Sequence, residues 1–270
     1  MKYIKLKPSI QFQLLVDSYF FWQNDNFADP EIEIESPPNG LNALVFNYGD
    51  RYRVFQGGRI FDPAQYFIAG QATSSYRLLL SNRIAMAGIV FKPTALRKLI
   101  GIAASKFTDQ RIDLSAILPE TNLKRVLESL YLSTSIAEKY TILERFLYEL
   151  ISSKKITDNY VDQAYHIIKA SKGNIKIDNL SKMLSVCPRH FRRTFYREVG
   201  VSPKEYIRII RLGQVCYHLI NQNDINWHDV IYQCGYFDQS HFIKDFIKFI
   251  GRKPSEYYRQ NKELNNLISR

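Results

Sequence analysis

Cysteine is scarce in this chain, and long uncharged stretches are absent. Three cysteines in 270 residues, Cys187, Cys216 and Cys234, are an odd number and stand 29 and 18 positions apart. That excludes a disulfide framework and a CxxC zinc pattern, and it predicts a reducing compartment, the cytoplasm. No uncharged run exceeds 14 residues, as in Ser36 to Gly49, which is short of the ~18 that suggest a membrane span. The opening MKYIKLKPSIQFQ has lysines but no apolar stretch behind them, so it does not read as a secretion signal and no membrane partner is expected. Enzyme signatures are missing too: there is no GxSxG, Walker A loop, GxGxxG or HExxH. The five histidines, 166, 190, 218, 228 and 241, make no i, i+4 pair. The chain is therefore expected to have no catalytic residues, no metal and no cofactor.

What is present is core-forming material and positive charge. The 46% hydrophobic fraction with 17 Phe and 18 Tyr supports packed cores, and at roughly 150 residues per domain the length predicts about two. The net charge of +11 points to a polyanion. It leans C-terminal: residues 1–155 hold 19 basic and 15 acidic residues, and 156–270 hold 18 and 11.

The first hundred residues alternate with the period of half-buried strands, most clearly in Glu31–Glu35 and Arg51–Phe55. Turn signals at Pro37-Pro38-Asn39-Gly40, Gly49-Asp50, Gly57-Gly58 and Ser81-Asn82 separate the runs Ala43–Tyr48, Tyr66–Ala69, Tyr76–Leu80 and Ile84–Phe91. An antiparallel sheet or small barrel follows, ending at Phe91, after which Pro93 opens a helix closed by Gly101. The acidic alternation Asp29, Glu31, Glu33, Glu35 reads as a solvated face. From 120 to 153 the spacing of Leu123, Val126, Leu127 and Leu130, then Leu143, Phe146, Leu147 and Leu150, predicts two amphipathic helices. Their apolar stripes pack on the β-domain or form a homodimer seam through residues 120–153. Lys154-Lys155 with Thr157-Asp158-Asn159 marks a boundary, and everything beyond is helical. The resulting division is a β-rich sensor or dimerisation domain over 1–118, a helical connector over 119–156 and an all-α domain over 157–270, an α+β chain of two domains.

The C-terminal domain contains one unit twice. His190-Phe191, Phe195, Gly200, Pro203, Glu205-Tyr206 and Arg208 recur 51 positions later as His241-Phe242, Phe246, Gly251, Pro254, Glu256-Tyr257 and Arg259. In the first copy Ile177, Leu180 and Leu184 form one helix face, Ser185-Val186-Cys187 breaks it, and Pro188 takes a first-turn position of the next helix. On that helix Phe191 and Phe195 point inward. At ~100° per residue Arg189, Arg193 and Tyr196 face the other way, flanked by Arg192 and Arg197. This is the layout of a helix-turn-helix whose second helix enters a DNA major groove, with arginine suited to guanine or phosphate. The second copy turns at Gly235 and begins its outer helix near Asp238 or Gln239, exposing Ser240 and Lys244 with Gln239, His241 and Lys248 beside them. Its charge is weaker, with Lys244 alone against Asp224, Asp229, Asp238 and Asp245 between Asn221 and Asp245. His190 and His241 sit at the edge of the outward face, as phosphate contacts or as structural groups. Between the copies, Ser202-Pro203-Lys204-Glu205 is a capping-box pattern opening a helix to about Asn221. Nineteen residues span ~28 Å, near the ~34 Å between successive major-groove faces. An adaptor that uses the duplicated domain to bind protein is the alternative reading.

Residues 157–260 resemble the DNA-binding domain of AraC/XylS transcription regulators, chiefly through Gly235-Tyr236-Phe237-Asp238-Gln239-Ser240-His241-Phe242, Phe246, Gly251, Pro254, Glu256-Tyr257 and Arg259. The resemblance implies a sequence-specific transcription regulator with two helix-turn-helix units in adjacent major grooves of double-stranded DNA. It places base-facing positions on Arg189, Arg192, Arg193, Gln239, Ser240 and Lys244, and it admits RNA polymerase as a partner. Ser181 and Ile231 stand where the family has a small Ala, Ser185 replaces the turn Gly, Cys187 a capping Ser, and Lys244 an Arg. The N-terminal half resembles the sensor halves of AraC-like regulators, through Pro38-Asn39-Gly40, Leu44–Asp50 and Gly88–Pro93. That implies a small-molecule effector or dimerisation role. Tyr48, Tyr52, Phe55, Tyr66 and Phe67 are the candidate effector-lining aromatics, or plain core.

Overall fold

The computed structural model describes residues 2–24, 32–80, 83–152, 154–221 and 225–260. Asp29, Glu31, the Ser81-Asn82 turn, Asp224 and the tail 261–270 lie outside the described residues.

Among the described residues the N-terminal half has ten strands in two antiparallel sheets. These are β1 (Lys2–Leu6), β2 (Val16–Asn24), β3 (Ile32–Ser36), β4 (Asn42–Asn47), β5 (Arg53–Gln56), β6 (Arg59–Phe61), β7 (Tyr66–Ala69), β8 (Tyr76–Leu80), β9 (Ile84–Phe91) and β10 (Arg111–Asp113). The larger sheet runs β1-β2-β9-β4-β7-β10 and the smaller β3-β8-β5-β6. Two of these strands correct the sequence expectation. β2 lies inside the larger sheet, paired along its length with β9, and is buried on both faces, so Ser18-Tyr19-Phe20-Phe21-Trp22 carries no alternation to read. β10 follows the expected end of the strands, because three residues are too few to carry a period.

The larger sheet has a core on each side. One holds Tyr19, Phe21, Leu44, Phe46, Ile68 and Ile89 together with Leu123, Val126, Leu130, Leu143, Phe146 and Leu147. The last six come from helices packed on the sheet after α1 (Ala95–Ile100), namely α2 (Glu120–Leu132) and α3 (Ile136–Ile151). The stripe that sequence reading left open as packing or dimer seam is thus covered by the chain's own sheet. The other core, between the sheets, holds Phe20, Trp22, Val45, Tyr52, Val54, Phe67, Leu80 and Met86.

Helices α4 (Tyr160–Ala170), α5 (Ile177–Met183), α6 (Pro188–Val199), α7 (Pro203–Asn221), α8 (Trp227–Gln233) and α9 (Gln239–Ile250) form the C-terminal half. Its two cores share α7: Tyr206 and Ile207 pack with Phe191 and Phe195, while Ile209, Leu212, Val215 and Cys216 pack with Phe242 and Phe246. Among the described residues no helix is long and apolar enough to cross a membrane.

A buried polar network joins the halves. The Asp162 carboxylate on α4 accepts from Thr94 Oγ1 at 2.5 Å, Lys98 Nζ at 2.8 Å and the Asn159 amide at 2.8 Å. Lys98 and Asp162 keep 9% and 7% of their side chains exposed, and the half-exposed Asp158 stands 3.7 Å from Lys98, so removing Asp162 leaves a desolvated ammonium with only this longer, solvated partner. Asp162→Ala is expected to lower unfolding free energy by about 3 kcal/mol. Adding Lys98→Met should recover most of that loss in chemical denaturation; no recovery would show that Asp162 acts through its caps alone.

Candidate nucleic-acid interface

Each helix-turn-helix is set by its turn. α5 ends in a Schellman motif, with the Val186 amide donating to the Ser181 carbonyl at 3.0 Å and the Ser185 amide to Lys182 at 3.0 Å. α8 ends identically, through Tyr236 to Ile231 at 3.1 Å and Gly235 to Tyr232 at 3.0 Å. The motif needs a left-handed residue; Gly235 supplies φ +71° without cost and Ser185 adopts φ +53°. α5 and α8 are therefore 50 positions apart, yet α6 and α9 are 51 apart. The second turn contains one additional residue, which the 51-residue offset by itself conceals.

The inner faces are aromatic ladders. Ring centroids lie 5.5 Å apart for Phe191 and Phe195 and 5.6 Å for Phe195 and Tyr206. The second unit repeats them with Phe242, Phe246 and Tyr257 at 5.7 and 5.5 Å. With these rings buried, Arg189, Arg192, Arg193, Tyr196 and Arg197 on α6 and Gln239, Ser240, His241, Lys244 and Lys248 on α9 are all exposed. The structure thus places all ten sequence-predicted positions on the outer faces of the two helices.

Their electrostatic states differ. Among the described residues no carboxylate pairs with Arg189, Arg192, Arg193 or Lys244. Arg197 is tied to Glu198 at 3.1 Å, and Lys248 to Glu205 on α7 at 2.9 Å. This last pair corrects the capping-box expectation. Ser202 Oγ does accept the Glu205 amide at 3.2 Å, but the Glu205 carboxylate serves Lys248. The acidic count around the second unit also changes meaning. Asp245 is buried and takes a bidentate grip from Arg208 on α7, and Asp238 caps α9 by accepting the His241 amide at 2.7 Å. His241 Nε2 stands 3.8 Å from Asp245, and His190 Nε2 is 3.5 Å from Thr194 Oγ1.

Sequence reading missed Phe237, which is 94% exposed immediately before the α9 cap. A residue at that position ordinarily staples onto the fourth helical residue, but here Tyr236 takes that place, 5.3 Å from Phe242. Tyr232 on α8 is exposed as well.

Of the candidate effector aromatics, Tyr52 and Phe67 line a cavity of about 480 Å³ between the two sheets, together with Trp22, Tyr76, Met86 and Arg111. Tyr48 and Tyr66 belong to the core on the opposite face of the larger sheet, and Phe55 lies under the Arg77 guanidinium at 4.3 Å. The cavity wall also meets the helical half. Glu35, expected on a solvated face, keeps 6% of its side chain exposed and is paired with Arg252 just beyond α9. The Gly40 carbonyl accepts from Tyr206 Oη at 3.1 Å and Gln71 Nε2 at 2.8 Å. Gly40 adopts φ +76°, and a side chain there would press on Tyr206 and Ile210 at 3.0 Å. Ser75 binds the last turn of α9 through the Phe249 and Ile250 carbonyls, and Thr108 Oγ1 donates to the Gly200 carbonyl that ends α6, at 2.7 Å.

A family model described as a helix-turn-helix domain matches residues 180–260. The C-terminal domain is an AraC-type helix-turn-helix domain. A second model, a domain of unknown function designated DUF6597, matches residues 4–113. The lactose operon transcription activator of Staphylococcus xylosus is 28% identical over 128 residues, covering 47% of this chain and 45% of that protein. The Msm operon regulatory protein of Streptococcus mutans is 27% identical over 137 residues, 48% of each. The chain thus spans about half the length of the curated relatives it matches. The solved structure of ToxT from Vibrio cholerae aligns over 96% of this chain and 98% of its own, with 14% identity and a TM-score of 0.48.

Within the AraC-type domain, Ser185 holds a left-handed conformation that costs a non-glycine residue about 1 kcal/mol. Ser185→Gly is expected to raise the thermal midpoint by about 3 °C. Cys187, at the α6 cap, faces the His190 and Arg189 amides, which hold its thiol pKa down, and Cys187→Ser should raise the midpoint further because a hydroxyl is the stronger acceptor for those amides. Calorimetry of both variants checks this, and a fall in either midpoint would refute it.

Proposed function

We propose that this protein is a sequence-specific transcription regulator that reads two adjacent major-groove segments of double-stranded DNA in the cytoplasm. The observation that carries the reading is the unpaired arginine cluster Arg189, Arg192 and Arg193 on the exposed face of α6, repeated in geometry, though not in charge, by α9. Residues 157–270 bind DNA, 119–156 brace the β-domain, and 1–118 form an effector-sensing domain around the cavity between the sheets. On α6 the arginines attract phosphate and address guanine edges; on α9 Gln239, Ser240 and Lys244 contribute positioning and base selectivity. Phe237, which the fold does not use, adds an apolar contact at the leading end of α9, where recognition helices meet base edges and thymine methyl groups. The polar ties from Thr108 and Ser75 give the β-domain a mechanical hold on the C-terminal ends of α6 and α9, with Glu35 holding Arg252 just beyond α9 and Gly40 holding Tyr206 on α7.

Selection of the purified full-length protein against random duplex DNA, at two salt concentrations, tests this reading. The expected product is a motif spanning two major-groove segments, with affinity falling steeply as salt rises. Arg193→Ala should reduce the salt slope by about 1 for each phosphate it leaves unneutralised, and it should weaken binding more than Lys244→Ala. Phe237→Ala should alter base preference in one half of the motif and leave the slope unchanged. A salt-insensitive protein with no enriched motif would refute the proposal, and a larger loss of affinity from Lys244→Ala would refute the division between units.

A further inference from the structure

The repeat sorts the cations of the two outer faces into two sets. Arg193 and Lys244 occupy equivalent positions, 51 apart, and among the described residues no carboxylate pairs with either. One helical turn further on, Arg197 and Lys248 are again equivalent, 51 apart. Four residues on, they lie on the same faces as Arg193 and Lys244, and both are exposed. At this second position a carboxylate from within the protein holds the cation in both units.

The carboxylates differ in origin. In the first unit Arg197 Nε and Nη2 donate to a single oxygen of Glu198, the next residue, at 3.2 and 3.1 Å. The Glu198 side chain is 10% exposed, and Arg97 on α1 approaches the same oxygen only to 3.9 Å. In the second unit neither neighbour of Lys248 is acidic: Ile247 precedes it and the core residue Phe249 follows. Glu205 reaches across from the first turn of α7 instead and accepts Lys248 Nζ at 2.9 Å. The aromatic ladders repeat with their partners, because packing is inherited with the scaffold. Here the partner changes and the neutralisation stays, which points to the withheld charge itself as the feature the two units share.

A neutralised cation counts for little on a polyanion. Counterion release scales with the number of phosphates that the protein neutralises, and a cation matched by a carboxylate one hydrogen bond away brings that carboxylate's repulsion to the phosphate with it. Salt screens Glu198 less than a fully solvated carboxylate, since it is largely buried. Phosphate contacts add affinity without reading sequence. Withholding one from each helix therefore lowers binding to all DNA and leaves base contacts a larger share of the total.

We propose that Glu198 and Glu205 are positioning residues that hold Arg197 and Lys248 away from DNA phosphate, one withheld cation per reading helix, and so set the domain's sequence-independent affinity. The inference deepens the DNA-binding part of the proposed function and rests on that part.

Binding of the full-length protein to a fluorescein-labelled random-sequence duplex, followed by anisotropy across a salt series, tests it without requiring a selected motif. Glu198→Gln is expected to steepen the salt slope by about 1, so that the affinity lost between about 50 and 200 mM salt becomes roughly threefold larger. Glu205→Gln should do the same in the second unit, and it carries the test if Glu198→Gln, buried beside α1, fails to fold. Loss of any carboxylate adds one unit of net charge, so the deciding measurement is the double variant. In an Arg197→Ala background Glu198→Gln should leave the slope unmoved, and so should Glu205→Gln in a Lys248→Ala background. A steepening that persists in those backgrounds would reduce the effect to net charge and overturn the proposal. Unchanged slopes in the folded glutamine variants would overturn it as well, and weaker binding by them would show that the carboxylates orient these cations toward DNA. The same slope changes in a protein that enriches no motif would sink the sequence-specific reading and leave this one standing. An enriched motif with identical slopes in all variants would do the opposite, and no binding to any duplex would end both.

Discussion

The buried aromatic ladders are the constraint on which the reading surface depends. Phe191, Phe195 and Tyr206 in one unit and Phe242, Phe246 and Tyr257 in the other are each 2% exposed or less. A buried ring of this kind contributes about 2 to 3 kcal/mol, whereas a surface ion pair on the opposite face contributes about 1 kcal/mol or less. The rotation of each outer helix about its axis is therefore decided by what it buries. Arginines on the far side of α6 are carried outward as a consequence, and they are free for a polyanion because the fold gives them nothing to do.

Geometry and charge are duplicated to different degrees. The ladders, the left-handed turn residue and the glycine that ends each outer helix recur, but the ion pairs do not. Asp245 has no charged counterpart in the first unit, where Thr194 occupies the matching position. It draws Arg208 from α7 into the second core, while Glu205 holds Lys248. The second unit commits Asp245 and Lys248 to internal ties and leaves Lys244 with the polar and aromatic groups Gln239, Ser240 and Phe237 on its outer face. Two copies of one scaffold thus present chemically different surfaces.

The β-domain is joined to this arrangement by polar contacts that converge on the ends of helices. Gly40, Ser75 and Thr108 each engage a backbone carbonyl or a tyrosine hydroxyl of the helical half, and Glu35 reaches Arg252 from the cavity wall. Carbonyls at a helix C-terminus lack intrahelical partners, so a loop that supplies donors there can hold a helix without competing with its core. The cavity wall and the ends of α6 and α9 consequently belong to one connected set of residues.

Much of this was legible in the residue order. Period-2 alternation located β3 and β5, turn signals bounded the runs that became β4, β7, β8 and β9, and the 3.6 spacing located α2 and α3. Helical spacing within the repeated unit identified which rings face inward and which arginines face out. β2 was invisible because burial on both faces erases alternation, and β10 because three residues carry no period. The roles of Glu35, Asp245 and Glu205 were misread for a shared reason: a carboxylate's meaning depends on whether a cation from another element reaches it, and Arg252, Arg208 and Lys248 come from 217, 37 and 43 positions away. The sequence by itself determined the local periods, the duplicated unit and the outward basic face, since these follow from side-chain spacing along one helix or strand. Tertiary structure alone decided which charges remain free, which aromatics enclose the cavity and where the two halves grip each other. Those outcomes depend on distances between elements far apart in the chain, and spacing along the chain does not encode them.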